Sequence, residues 1–384
     1  MDERMEFVIR AKNTQNFREL CREYGISAKT GYKWLGRYRE DGPSGLEDRE
    51  RRPHRHARQL GDEVICDLMR LKLAHSHWGP RKIRELYRRL RPGPVPSESA
   101  CKRLLAKVGL VQTRQAKAEH TGRLATGRQA QEPNDIWTVD FKGWWKDALG
   151  LRVEPLTVRD EHSRMLLEMK ILGDSRGQTV RACFEKLFAR HGLPRAIRSD
   201  NGAPFASQGL WGLSRLSAWW LALGIDLERN RPGCPQDNGA HERLHRDIRR
   251  ELQAGRVGRD QAAFDLWRQE YNEQRPHEAL GLRTPAELYQ PSPRPYQGTP
   301  EDLDYGGAQT RRIHHTGEVR YHGHEIFVSE ALAGWSVALK PRAHDGNLDL
   351  WFGHLRLGHL DLQTLSFRAV RPDSPEALTP NPKH

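Results

Sequence analysis

Apolar positions change their period along this chain, and each period predicts a different kind of element. Over residues 5–40 they recur at helical spacing. Phe17–Tyr24 reads as one helix, Gly25-Ile26-Ser27 as a tight turn with Ser27 as cap, and Ala28–Arg39 as a second helix. Leu20, Ile26, Trp34 and Leu35 supply its inner face, which turns Lys29, Thr30, Lys33 and Arg37 outward. Helical spacing returns over 61–110. Glu63–Lys72 is strongly periodic, His77-Trp-Gly-Pro80 breaks it, Arg81–Leu90 follows, and Ser97 caps Glu98–Lys107. From residue 136 the runs shorten. Segments 136–144, 151–159 and 163–171 predict three sequential antiparallel strands. A helix at 177–190, a strand at 195–199, a helix near 213–223, a strand at 225–229 and helices at 238–253 and 258–274 complete this region. The last stretch alternates in short runs: Arg311–His315, Glu318–Tyr321, His324–Val328, Trp335–Leu339, Leu348–Phe352 and Leu355–Leu360. Turn signals such as His322-Gly323 and Asp345-Gly-Asn347 separate them.

At 384 residues the chain is too long for a single core, so a multidomain layout is expected. All-α helix-turn-helix modules are predicted at 1–45 and 61–111, an α/β core with a mixed sheet at 135–290, and a small all-β barrel at 311–370. Between them lie a basic linker at 46–60, linkers at 112–134 and 291–310, and a disordered tail at 371–384. The basic linker, Arg49–Arg58, suits either phosphate tracking or a solvated loop.

Charge narrows the partners. Lys and Arg number 63 against 50 Asp and Glu, a formal net charge of +13. That favours a polyanion; a ribosome or an anionic membrane surface would also fit charge alone. No apolar run approaches the roughly 20 residues of a membrane span. The charged start, Met1-Asp-Glu-Arg-Met-Glu6, does not resemble a signal peptide. Five scattered cysteines, Cys21, Cys66, Cys101, Cys183 and Cys234, make no Cys-x-x-Cys pair, so neither zinc nor a disulfide framework is indicated. His54, His56, His75 and His77 lack metal-ligand spacing and read as exposed polar residues. A cytoplasmic, nucleoid-associated protein is expected, with no membrane partner.

Three carboxylates stand out against this background. Asp200 sits where the strand ends, before the turn Asn201-Gly202. Asp140 lies among the apolar residues of Ile136-Trp-Thr-Val-Asp-Phe141. Glu242 falls in the first turn of the helix that follows the breaker-rich loop Arg231–Gly239. Any one of them alone is an ordinary turn or helix-start residue. Together they suggest a site for Mg²⁺, which takes hard oxygen ligands and needs one or two carboxylates per ion. Asp160-Glu161 falls between two strands and is assigned a turn role.

The flanks of these acids carry a resemblance. Trp137-Thr-Val-Asp140, Ser199-Asp-Asn-Gly202, Pro235–Arg243, Tyr271–Leu280 and Thr284–Tyr289 are similar to motifs of the DDE transposases and integrases of bacterial insertion sequences. Residues 133–290 carry it closely. It implies a ribonuclease H-like core of the retroviral-integrase kind, with Asp140, Asp200 and Glu242 as the catalytic, metal-binding triad. It further implies two Mg²⁺ per site, with Mn²⁺ as substitute. The implied enzyme is a DNA nuclease and strand transferase acting on the element's terminal inverted repeats and on target DNA, as a homo-oligomer assembled on double-stranded DNA. The alternative is a non-catalytic, transposase-derived regulator. Forty-one residues separate Asp200 from Glu242, more than many relatives place there, and the excess is expected in Gln208–Arg215. Expected DNA contacts are Lys29, Thr30, Lys33, Arg37, Lys102 and Arg103 in the helical modules, and Arg243, His245 and Arg246 beside Glu242. Arg275-Pro276-His277 is read as a helix end within reach of DNA. Trp144-Trp145 and Trp219-Trp220 are read as packing residues, with base stacking as the alternative.

Overall fold

A computed structural model describes residues 3–48, 60–111, 128–141, 143–230, 239–255, 257–342 and 346–370. The predicted tail, most of the first two linkers, His54, His56, Cys234, Asp345 and the loop 231–238 lie outside them. The chain divides into two units, Met1–Gly61 and Asp62–His384.

In the first unit, helix α1 (Glu3–Ala11) precedes α2 (Phe17–Glu23) and α3 (Ala28–Asp41). The predicted cap is present: the Thr30 amide donates to Ser27 Oγ at 3.1 Å. Gly25 has φ +62°, the left-handed conformation that the turn before α3 requires. Gly31 lets α3 press against its neighbours, since a Cβ there would come within 2.7 Å of Cys21 Sγ. Phe7, Val8, Leu20, Cys21 and Leu46 form the core, with Ile26 and Trp34 packed against it. Lys29 and Lys33 are exposed, while Thr30 and Arg37 are half-buried. The Thr30 hydroxyl lies 2.9 Å from Ser27 Oγ, so it is engaged in the cap.

The second unit opens with α4 (Asp62–Ala74), α5 (Pro80–Leu90) and α6 (Glu98–Lys107). Ser97 caps α6 by accepting the Ala100 amide at 3.2 Å. Lys102 and Arg103 are exposed on α6. His75 departs from its expected exposure. Its ring stacks on the buried Trp78 with centroids 4.0 Å apart, and its Nδ1 lies 3.0 Å from Glu270 Oε1. Further along, Arg89 pairs with Glu287 at 3.0 Å and donates to the Leu282 carbonyl at 2.9 Å. These contacts dock the second helical module on the α/β core.

The core follows in chain order: β1 (Ile136–Phe141), the hairpin β2 (Trp145–Lys146) and β3 (Arg152–Val153), β4 (Pro155–Asp160), β5 (Leu166–Ile171), α7 (Gly177–His191), β6 (Ala196–Ser199), α8 (Arg215–Ala222), β7 (Asp226–Arg229), α9 (Gly239–Ile248) and α10 (Gln261–Gln269). A π-turn extends α9 over 249–253, and another extends α10 over 270–274. The sheet order is β5-β4-β1-β6-β7. β4 runs antiparallel to β1 and β5 to β4, whereas β6 and β7 continue parallel, so the sheet is mixed as predicted. One face packs Trp137, Val139 and Val158 under Phe184, Phe188, Trp219 and Trp220. The other packs Leu166 and Met169 under Leu244, Ile248, Phe264 and Trp267. Both residues of the Trp219-Trp220 pair and Trp145 are therefore packing residues; Trp144 is exposed, with Arg152 over its ring at 5.4 Å. Asp160 takes its turn role: its carboxylate accepts the amides of Asn134 (2.7 Å) and Ser163 (2.8 Å).

The expected linker at 291–310 begins as a strap along the core. Leu193 donates to the Arg294 carbonyl and Ser292 to that of His191, both at 2.8 Å. Beyond it the all-β module comprises β8 (Gln309–Arg312), β9 (Glu318–Tyr321), β10 (His324–Phe327), β11 (Ser336–Pro341), β12 (Leu348–Phe352), β13 (Leu355–Asp361) and β14 (Ser366–Ala369). In place of a barrel it forms a five-stranded antiparallel sheet, ordered β14-β13-β12-β11-β8, with the hairpin β9-β10. Its core is shared. Leu213, Ala218, Leu221 and Ala222 pack with Val337, Leu339, Leu350 and Phe352. Within the segment expected to hold the surplus residues, a 3₁₀ turn at Leu210–Gly212 brings Leu210 and Trp211 against this module.

Candidate active site

Side chains alternate across a strand, so with Trp137 and Val139 in one core, Thr138 and Asp140 face the side covered by α9. β6 lies parallel to β1 with Thr138 opposite Arg198. Continued along the chain, that offset sets Asp140, near the end of β1, against Asp200, the first residue past the end of β6. Open sheets with parallel strands present their reactive groups at such ends.

Each acid is held differently. Asp140 is part of the β1–β4 ladder, opposite Thr157. The Thr157 hydroxyl donates to the Asp140 carbonyl at 2.9 Å. Asp200 has left its strand, is exposed, and accepts the Gly202 amide on Oδ1 at 3.1 Å. Its loop is pinned from β7 by Arg229, whose guanidinium donates to the carbonyls of Phe205 (2.8 Å) and Asp200 (3.3 Å). Asn201 is a turn residue, donating to the Asn230 carbonyl at 3.0 Å.

Glu242 is exposed in the first turn of α9. Its neighbour His241 anchors the helix to the sheet. That ring is fully buried; Nδ1 lies 3.0 Å from Thr138 Oγ1 and Nε2 lies 2.7 Å from Thr157 Oγ1. Burial, reinforced by His245 and Arg159, lowers its pKa well below the usual histidine value, so the imidazole is neutral. Thr157 has one proton and two lone pairs. With the proton on the Asp140 carbonyl, its oxygen accepts from His241 and from His245 Nε2 at 3.2 Å. His245 Nδ1 lies 3.9 Å from Asp140 Oδ2. The ring expected among the DNA contacts therefore faces the sheet, while Arg243 and Arg246 are exposed.

Among the described residues, no group of three or more His, Cys, Asp or Glu side chains is close enough to hold a metal ion. Asp140, Asp200 and Glu242 thus do not close into one ligand cluster. Their chemistry suits a hard divalent cation, since all three offer carboxylate oxygens.

Sequence reasoning missed His241 and Arg229, and it misread Arg275 and His277. Arg275 is buried; it pairs with Asp247 at 3.2 Å and with Glu251, and lies 5.6 Å over Trp78. His277 is buried against Tyr271, with its pKa lowered by burial and by Lys82 to about 3. Neither faces DNA.

These buried histidines set a pH dependence. Their folded pKa values lie below the unfolded value, so acid protonates the unfolded chain first. Stability is complete above about pH 6.5 and is lost as pH falls toward the folded values, by about 1.4 kcal/mol per pH unit for each of His241 and His277. Urea midpoints measured down to about pH 4.5 should fall accordingly; a flat profile would contradict neutral burial of these rings.

Family comparisons agree with this architecture. Integrase core domain models match residues 130–235 and 223–285, and a model of the IS481 family transposase C-terminal domain matches 308–367. Helix-turn-helix and homeodomain-like models match 3–54 and 30–105. These matches support a DDE insertion-sequence transposase or integrase, to which the chain is similar over its core and its C-terminal module. Two insertion-element relatives illustrate the family. The chain is 29% identical over 238 residues to the insertion element IS407 uncharacterized 31.7 kDa protein of Burkholderia multivorans, covering 59% of this chain and 81% of that one. It is also 29% identical over 231 residues to the insertion element IS476 uncharacterized 39.2 kDa protein of Xanthomonas euvesicatoria, covering 58% of this chain and 63% of that one, just under two thirds of its length. The crystal structure of the BIV integrase catalytic core domain is 25% identical, covers 41% of this chain and 93% of that one, and has a TM-score of 0.33. The family matches support a role in transposition, with helix-turn-helix modules for DNA. Among the described residues, no helix is long and apolar enough to cross a membrane.

Proposed function

We propose that this protein is the transposase of an insertion element, binding the terminal inverted repeats, cleaving the DNA ends and joining their 3′-hydroxyls to target DNA. One observation supports the reading: Asp140 lies near the end of β1, Asp200 follows the end of the parallel neighbour β6, and His241 fastens the helix of Glu242 to the face that Asp140 shares. The matched integrase-core spans take in all three acids. In this reading the helices α3 and α6 hold DNA through Lys29, Thr30, Lys33, Arg37, Lys102 and Arg103, and Arg243 and Arg246 hold a strand beside Glu242. His245 instead orients Asp140.

Asp140, Asp200 and Glu242 would hold the Mg²⁺ or Mn²⁺ ions. When bound, two such ions activate an attacking oxygen and stabilise a leaving one in phosphoryl transfer. The chain's own residues position the acids: Thr157 holds the Asp140 backbone and His245 lies beside its carboxylate, while the Gly202 amide binds the Asp200 carboxylate and Arg229 its backbone. Paired ends call for a homo-oligomer assembled on DNA.

The separation of the acids favours a second reading, a transposase-derived DNA-binding regulator without catalysis. An assay on duplex carrying the element's terminal repeats decides between them. Nicking and joining that need Mg²⁺ or Mn²⁺ and stop with chelator are expected; tight binding with no cleavage under either metal would leave the regulator.

A further inference from the structure

Five cations of the second unit line one cavity of about 290 Å³. Lys82 comes from α5, Arg164 from the turn between β4 and β5, and Arg243, Arg246 and Arg250 from α9 and its extension. The cavity has room for about ten waters or for a hydrated phosphate group. Among the described residues, none of the five makes a hydrogen bond or ion pair. The lining does contain two carboxylates; both attract Lys82, and both are shared with arginines that do not line the cavity. Asp247 pairs with Arg275 at 3.2 Å, and Glu278 lies 3.6 Å from Arg81.

The imbalance is felt by the groups themselves. Burial pulls the Lys82 pKa down, and Arg275 adds to the effect. Burial likewise lowers Arg164, with Arg243 contributing repulsion. The neighbouring His277 is held neutral partly by Lys82. Gly79, where α5 begins, also forms part of the wall, and a helix start adds positive potential. Surface cations usually spread out or find counter-charges. Here they converge in a concave site, which raises the local concentration of an anion.

We infer that this cavity seats a phosphate group of the DNA backbone, gripped jointly by the second helical module and the helix that carries Glu242. The inference rests on the proposed action on DNA and adds residues to it: Lys82, Arg164 and Arg250 join the binding surface. It also gives that surface a purpose beyond affinity. A strand held by α5 and α9 together fixes the end-binding module relative to the catalytic helix.

The test uses the full-length protein and a short labelled duplex of arbitrary sequence, titrated across a salt series. Each phosphate contact contributes about 0.9 to the slope of log K against log salt. Lys82→Gln with Arg250→Gln is expected to lower that slope by about 1–2 and the affinity about tenfold or more at low salt, equally for terminal and random duplex. Arg250→Gln alone alters an exposed side chain and guards against a folding defect, and Lys82→Arg should retain binding. An unchanged slope in both glutamine variants, with melting curves like the parent's, would overturn the inference. So would stabilisation of the parent by inorganic phosphate or pyrophosphate with duplex affinity insensitive to the substitutions, because the seat would then serve a free anion. Binding is read without cleavage, so a parent protein that holds duplex but never cuts it would remove the transposase chemistry and leave this seat standing.

Discussion

Replacing Asp200 with Asn is expected to leave binding of duplex ends intact and to lower nicking and joining about a hundred- to a thousandfold, the scale seen when a transition-state stabiliser is removed. Asparagine keeps the side-chain oxygen that accepts the Gly202 amide, so the turn after β6 survives. It removes the negative charge a divalent cation needs. Asp200 is exposed and is not part of either core, which makes a folding defect an unsuitable explanation for lost activity. End-labelled duplex, followed by gel shift and by cleavage in Mg²⁺, separates the two properties. Full strand transfer by the variant would remove Asp200 from the chemistry and with it the proposed triad.

Arg275→Met should produce the largest loss of stability. Removing one partner from a buried ion pair leaves an uncompensated charge and typically costs about 3–5 kcal/mol. Here the guanidinium serves two carboxylates, Asp247 and Glu251, from α9 and its extension, and lies over the rings of Trp78, Trp267 and Tyr271 at 5.6–5.7 Å. Trp78 belongs to the second helical module, Trp267 to α10. One side chain therefore joins three elements. Urea unfolding followed by tryptophan fluorescence should show the drop. Arg275→Lys should recover only part of it, because an ammonium lacks the planar fork that reaches two carboxylates at once. Methionine tolerated within about 1 kcal/mol would mean that the pair is offset by its own desolvation.

What could be read from the sequence was whatever repeats or ends abruptly. Helices α2 to α6 were legible because their apolar spacing is regular and Ser27 and Ser97 announce their starts. The mixed sheet was legible because each strand is a short apolar run closed by a turn. Asp140 and Asp200 could be singled out as acids at a strand and at a strand end. His241 could not: its importance lies in two threonines on different strands, Thr138 and Thr157, which only the β1–β4 pairing brings together. Arg275 was misjudged for a related reason. A charged residue after a helix suggests solvent, and nothing local reveals that Asp247 and Glu251 wait for it. The strap at 291–294 reads as a linker by composition, since Pro and Gly say nothing about whether backbone groups find partners on a core.

Helix α8 has consequences for anyone who would cut this chain into pieces. One side of it, Leu216, Trp219 and Trp220, is sealed within the α/β layer, while Ala218, Leu221 and Ala222 on its other side are sealed by the terminal sheet. Eight residues thus serve as a common wall between two interiors. A fragment ending before Gln309 would wear that wall as an oily outer stripe and tend to clump. For the same reason the two interiors should melt as one, in a single cooperative step on heating.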